Sequence, residues 1–370
     1  MNQALMLAFA NLCLAPSANA FSMMIPMEQN SASDKTSPPR RQAALTADDY
    51  VAGVLEGNRS ILSRAITVIE SQAARHEAQA QEILQKLLPR TGCAKRIGIT
   101  GIPGVGKSTF IEAFGCHLVK HGHKVAVLTI DPSSIRTGGS ILGDKTRMER
   151  LSLEPNAYIR PSPSGGQLGG VARRTRETML LCEAAGFDVV IVESVGAGQG
   201  EVVLRSMVDF YLLLLLPGAG DELQGIKKGI VELADMILIN KADEDNRLRA
   251  EQARLEQETA LHYTQPSGSA WKTEVGLCSA RTGEGISGAW ERIESFYQQL
   301  EPKGIIAARR RQQLLDWLAE SVLDGLRQRF YRNTRVQAEL PAARDAVARG
   351  ELTVPAATQR LLAAEAGTIS

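Results

Sequence analysis

The sequence predicts an α/β protein of the P-loop NTPase type: a mostly parallel sheet with helices on both faces, extended by helical segments at both ends. Three observations carry this. Short apolar runs rich in β-branched residues alternate with helical stretches over residues 93–300, the pattern of a parallel sheet. A complete G-x-x-x-x-G-K-[ST] segment, Gly101 to Ser108, directly follows the apolar run at 96–100, the strand-to-loop setting this motif requires. The tetrapeptide Asn240-Lys241-Ala242-Asp243 follows a second such run at 236–239, as residues at the carboxyl end of a parallel strand do.

Taken in order, residues 1–44 are expected to be a disordered extension or to follow from a translation start placed too early, since Met23, Met24 and Met27 could each begin a shorter chain. The first twenty residues are apolar and end in Ala18-Asn19-Ala20, which resembles a signal-peptidase site, but no lysine or arginine precedes them. Residues 45–92 read as a helical module. Thr46 offers a cap with acids behind it, apolar residues recur at Ile61, Leu62, Ile66 and Ile69, and Pro89 to Gly92 closes the segment. Residues 93–300 form the nucleotide domain. Its apolar run from Phe210 to Leu216 is too short to span a membrane and reads as a buried parallel strand. Residues 301–370 are expected to form a helical dimerisation region, with Trp317, Leu318, Val322, Leu326 and Phe330 at helical spacing. The run Arg309 to Arg311 reads as a solvated helix face.

Composition narrows the partners. A chain of 370 residues with 44% hydrophobic content can bury a large core. A net charge of +1 gives no bulk attraction to nucleic acid or an anionic membrane. Five cysteines without C-x-x-C spacing indicate neither a disulfide framework nor zinc, so a reducing cytoplasm is the expected compartment.

The motifs specify the chemistry. Gly101, Ile102, Pro103, Gly104, Val105, Gly106, Lys107, Ser108 and Thr109 form a loop whose glycines let backbone N–H groups face phosphate oxygens. Lys107 would reach the β- and γ-phosphates and Ser108 would ligate Mg²⁺. Asp243 supplies base preference, because a carboxylate accepts two hydrogen bonds from the guanine N1–H and 2-amino groups; GTP and GDP are the expected ligands. Asn240 and Lys241 belong to the same motif, and Ser279, Ala280 and Arg281 sit where a backbone contact to guanine O6 is expected. Asp131 and Glu193 each end an apolar run, and such acids near a P-loop suit Mg²⁺. The Gly196 N–H is placed to sense the γ-phosphate. Position 197 is alanine, so the glutamine that orients water in Ras-like enzymes is missing and intrinsic hydrolysis should be slow.

Longer segments narrow the reading further. Asp131-Pro-Ser-Ser134, the block from Thr137 to Met148, the glycine-rich stretch from Arg160, Glu193 to Gln199 and Gly218 to Gly229 resemble the MeaB/ArgK-type methylmalonyl-CoA mutase-associated GTPases. The family pattern has Thr and Val where this chain has Ser194 and Ala197, both mild departures. The resemblance spans roughly residues 46–335 and implies a GTP-dependent chaperone that gates adenosylcobalamin loading and protects methylmalonyl-CoA mutase, or a related adenosylcobalamin-dependent acyl-CoA mutase. It also implies a homodimer. By the same resemblance Lys107, Asp131, Asp144 and Glu193 act in hydrolysis, and Ser108, Asp131, Asp144 and Glu193 hold Mg²⁺. Residues 131–148 and 193–201 would be the two switches, with Lys227 and Lys228 as candidate partner contacts. Two alternatives stand beside this reading: a metallochaperone GTPase delivering nickel or cobalt, which would want a histidine-rich or C-x-C-C tract that the chain lacks, and a transport-associated kinase or ATPase under the older ArgK label, against which the guanine motif argues.

Overall fold

The computed structural model describes residues 45–71, 73–130, 148–161, 168–194, 200–218, 228–264 and 268–367. Three helices come first: α1 (Ala47–Leu55), α2 (Arg59–Glu70) and α3 (Ala74–Leu87). Thr46 caps α1 through a reciprocal box. Its hydroxyl accepts from Asp49 N–H, and the Asp49 carboxylate accepts from the Thr46 N–H at 2.8 Å. This satisfies two N–H groups that a helix start otherwise leaves without partners.

The core alternates strand and helix: β1 (Lys95–Gly101), α4 (Lys107–Lys120), β2 (Val125–Ile130), α5 (Glu149–Leu153), β3 (Ala157–Pro161), α6 (Leu168–Ala184), β4 (Val189–Ser194), α7 (Gly200–Arg205), β5 (Phe210–Leu215), α8 (Lys228–Glu232), β6 (Met236–Ile239), α9 (Arg247–Thr264), β7 (Glu274–Leu277) and α10 (Ile286–Leu300). The strands form one seven-stranded sheet in the order β3-β2-β4-β1-β5-β6-β7, every pair parallel. The α/β expectation holds, and the apolar run at 210–216 contains the buried interior strand β5, Phe210–Leu215.

Burial follows the two-residue period of a strand. Ile97, Val189, Ile191, Leu212 and Leu214 enter the core under α4 and α10. Val190, Val192, Tyr211, Leu213 and Leu215 enter the opposite core, shared with α1, α2, α3 and α6. A sheet covered on both faces keeps its strands apolar throughout. Gly98 faces the second core, where a Cβ would lie 2.9 Å from Leu204 and Val208 side-chain carbons. Without that side chain, α7 packs directly on β1.

Three helices follow the sheet: α11 (Ile305–Arg332), α12 (Thr334–Ala348) and α13 (Val354–Ala366). The start of α11 is fastened beneath the amino ends of the strands. Arg310 donates to both Asp209 oxygens, at 2.8 and 2.6 Å, and to the Ala94 carbonyl. Asp209 is fully buried and also accepts from Tyr297 Oη and Arg96 N–H. Arg309 bonds the Asp209 carbonyl and lies 3.6 Å from Asp235. The sequence expectation for this run is therefore corrected at Arg309 and Arg310. They do not form a solvated face, because two buried carboxylates at the strand ends need cationic donors. Replacing Asp209 by alanine strands Arg310 and is expected to cost roughly 3–5 kcal/mol of stability, measured by urea denaturation; an unchanged midpoint would show that the network carries no net weight.

Beyond this anchor α11 is largely exposed. Leu318, Val322, Leu323 and Leu326 are each more than half exposed, while Trp317 is half-buried with the Arg176 guanidinium over its ring. Among the described residues no helix is long and apolar enough to cross a membrane, and Cys93, Cys116, Cys182 and Cys278 are free thiols.

Candidate functional site

The site lies at the carboxyl end of β1, where the sheet order places β4 on one side and β5 on the other. The connection after β1 runs to β2 on one side and the one after the adjacent β4 runs to β5 on the other, and open parallel sheets bind ligands where connections diverge in this way. Gly101, Gly104 and Gly106 all have positive φ, and at two of them space is closed as well. A Cβ on Gly101 would lie 2.5 Å from the Leu214 carbonyl oxygen, and one on Gly106 2.8 Å from Asn240 Nδ2. Val105 is fully buried and pins the loop, whereas Pro103 and Gly104 are exposed.

Lys107 opens α4. Its Nζ donates to the Gly101 carbonyl at 2.8 Å and to the Ile102 carbonyl at 3.2 Å, so the loop curls around its own lysine. Burial pushes this ammonium below the usual lysine range, and the carboxylates of Glu193 and Glu201 push back. Next to it, the Ser108 hydroxyl donates to Glu193 Oε1 at 3.2 Å. Strand register explains the meeting: Glu193 lies opposite Ile99 of β1 and Thr129 of β2, level with the start of the loop. A hydroxyl and a carboxylate beside a phosphate loop are hard oxygen donors, the set Mg²⁺ prefers.

The second half of the site is built on β6 and β7. Asn240 is buried and uses both ends of its amide. Its Nδ2 donates to the Val105 carbonyl at 2.8 Å, and its Oδ1 accepts from Ala280 N–H at 3.1 Å. One side chain thus ties the phosphate loop to the 279–281 turn. Lys241, at a φ of 61°, donates to the Gly104 carbonyl at 2.9 Å. Asp243 Oδ2 accepts from Ser279 Oγ at 2.9 Å and Arg281 Nε at 3.1 Å. Chiefly the Ser279 hydroxyl, with Arg281 adding to it against a smaller opposing effect of burial, holds the Asp243 carboxyl below the usual carboxylate range. The acid therefore stays an acceptor well into mildly acidic solution. The turn closes at Gly285, where a Cβ would lie 2.2 Å from the Leu277 carbonyl oxygen.

The structure brings together Gly101, Ile102, Gly104, Val105, Gly106, Lys107, Ser108 and Glu193 at one end, and Asn240, Lys241, Asp243, Ser279, Ala280 and Arg281 at the other, with Asn240 and Lys241 joining the two groups. Asp131, Asp144, Gly196, Gln199 and Lys227 lie outside the described residues. Two residues take roles not expected from the sequence. Glu201, buried in the first turn of α7, acts electrostatically on Lys107. Glu244, at a φ of 45°, accepts from Arg281 at 2.7 Å and so braces the group that braces Asp243. Glu201 ends the 193–201 segment read as the second switch, whereas nothing local in the sequence marks Glu244.

Comparison with known proteins gives the frame for this geometry. The sequence profile of the family described as Methylmalonyl Co-A mutase-associated GTPase MeaB matches residues 62–335. A putative GTPase of Caulobacter vibrioides is 53% identical over 321 residues, covering 87% of this chain and 98% of that protein. The mouse protein named Methylmalonic aciduria type A homolog, mitochondrial, is 41% identical over 330 residues, covering 86% of this chain and 79% of its own. A crystal structure described as an LAO/AO transport system kinase superposes with a TM-score of 0.68 at 36% identity, covering 85% of this chain and 96% of that one.

Proposed function

Since this chain belongs to the MeaB family of methylmalonyl-CoA mutase-associated GTPases, and is accordingly a guanine-nucleotide-binding P-loop GTPase, we propose that it is the GTP-dependent chaperone of an adenosylcobalamin-dependent acyl-CoA mutase, with methylmalonyl-CoA mutase in first place. It gates adenosylcobalamin loading and protects the mutase. The family match over residues 62–335 carries this reading, and the mouse relative's name points the same way. The cytoplasm is the proposed compartment.

Within the site the roles divide by chemistry. Lys107 leaves its carbonyl partners for the β- and γ-phosphate oxygens, which are stronger acceptors. The loop's N–H groups and the amino end of α4 hold the same charge. Asp243, presented by Ser279 and Arg281, reads the guanine edge, while Asn240 and Lys241 keep the base and phosphate halves in register. Ser108 and Glu193, with Asp131 and Asp144, would hold Mg²⁺, which would supply counter-charge for the phosphates. Gly196 senses the γ-phosphate. With alanine at position 197, water is oriented only when a partner completes the site, so hydrolysis by the protein alone is slow.

The test is GTP turnover with and without the host's methylmalonyl-CoA mutase. A saturable acceleration is expected; unchanged turnover with an active mutase and confirmed GTP binding would exclude that enzyme as the client and leave a related acyl-CoA mutase. Retention of labelled γ-phosphate on a protein acceptor, rather than its release as inorganic phosphate, would favour the kinase activity named for the structural neighbour.

The proposed domain division assigns residues 45–92 to a helical module, 93–300 to the GTPase and 301–370 to dimerisation. The apolar stripe on α11 supports the last assignment: an exposed row of Leu318, Val322, Leu323 and Leu326 matches what a second copy would cover. Light scattering on the eluting protein is expected to give twice the chain mass at micromolar concentration, and Leu318→Glu to reduce it toward one chain; a monomeric parent would reject the dimer.

A further inference from the structure

His117 and His121 stand one turn apart at the carboxyl end of α4, about 15 and 21 Å along the helix axis from Lys107. Their rings are in contact, with centroids 4.2 Å apart and planes inclined at 40°. The i, i+4 spacing puts both imidazoles on one face of the helix. His121 Nδ1 lies 2.8 Å from the His117 carbonyl oxygen. A carbonyl oxygen can only accept, so Nδ1 carries the proton, and on the neutral ring the lone pair is left on Nε2. A metal-binding histidine is oriented in this way, its second ring nitrogen donating to a backbone carbonyl.

The surroundings act on a cation in both directions. The last turn of α4 presents the negative end of the helix dipole. Burial of the His117 ring, His121 and Lys120 disfavour positive charge there, while the Glu291 carboxylate, on α10, favours it. His123, next along the chain, is occupied by Asp188 at 2.6 Å and by the Trp290 edge, so it stays outside the pair. His121 is exposed, which leaves the rings reachable from solvent.

The geometry points to a two-histidine chelate at His117 and His121 for a divalent transition-metal ion of the zinc, nickel or copper class, with water completing the coordination and Glu291 adding charge from α10. Two imidazoles suit these ions, whereas Mg²⁺ prefers oxygen, so the chelate and the phosphate site do not compete for the same metal. Neither nucleotide binding nor the apolar stripe on α11 uses these two residues.

The experiment is calorimetric titration of the tag-free, full-length protein, in excess Mg²⁺, with Zn²⁺, Ni²⁺ and Cu²⁺. One equivalent of each ion is expected to bind, Cu²⁺ most tightly. His117→Ala and His121→Ala should each weaken binding on the order of a hundredfold, because either change turns a chelate into a single ligand. GTP affinity should stay at the parent value in both. Glu291→Gln should weaken the metal by less. If removal of the half-buried His117 ring unfolds the protein, His117→Gln replaces that variant. Absence of micromolar binding by the parent overturns the chelate, as does binding that survives either substitution undiminished.

Discussion

Lys107→Ala is expected to lower GTP turnover by about 10²–10³-fold, the range seen when a single preorganised donor is removed from a developing anion. The ammonium sits at the start of the loop, where it answers the Gly101 and Ile102 carbonyls. It is buried and faced by Glu193 and Glu201. Removing it takes away a positive charge that acts on Glu193 and Glu201 beside the phosphates, which raises the cost of bringing a nucleotide in. GTP affinity should fall along with turnover, and single-turnover rates at saturating GTP separate the two effects. A variant that hydrolyses GTP at the parent rate would remove Lys107 from the mechanism.

Asp243→Asn should exchange the base that is read. Guanine offers two donors to the carboxylate, while an amide places a donor of its own against one of them, so affinity for GTP should drop by roughly 2–5 kcal/mol, as for truncating one partner of a buried hydrogen-bonded charge. Xanthine nucleotide carries an acceptor in place of the 2-amino group and should bind the variant better than the parent. Competition binding with GTP and XTP reads this directly; an unchanged preference would mean that guanine is recognised elsewhere. Since Ser279 and Arg281 hold the carboxyl low, guanine affinity in the parent should persist as pH falls through the usual carboxylate range and weaken only below it. Arg281→Ala should move that loss toward higher pH.

How much of this the sequence could show depends on the range of the interaction. The phosphate loop is legible because its demands are local: glycines that tolerate positive φ, a lysine at a fixed step and a helix directly behind it. The guanine motif is legible for the same reason, and an unbroken apolar run such as β5 announces a strand covered on both faces. Contacts across long chain separations are not. Arg310 reaches Asp209 from 101 positions away, and a triple arginine on a helix reads as solvated until the sheet shows the acids beneath it. Glu244 escapes notice because its importance lies in one bond to Arg281, itself meaningful only once Asp243 and the 279–281 turn are adjacent. The pairing of Ser108 with Glu193 sits between these cases: the residue types are suggestive, but the register of β1 with β4 is what brings them level.

The fastening of α11 has a mechanical side. Arg309 and Arg310 clamp its first turns to the strand ends, and Gln313 adds bonds to the Arg205 and Val208 carbonyls at the end of α7. From that clamp to Arg332 the helix runs 22 residues, about 33 Å. A second hold lies farther out, where Arg176 of α6 bonds Glu320 at 2.9 Å and covers the Trp317 ring. A tilt of about 5° at the root carries Leu326, 16 residues or about 24 Å from Arg310, roughly 2 Å sideways, so a small joint shift of α6 and α7, the latter one short segment past Glu193, is passed outward to the exposed leucines.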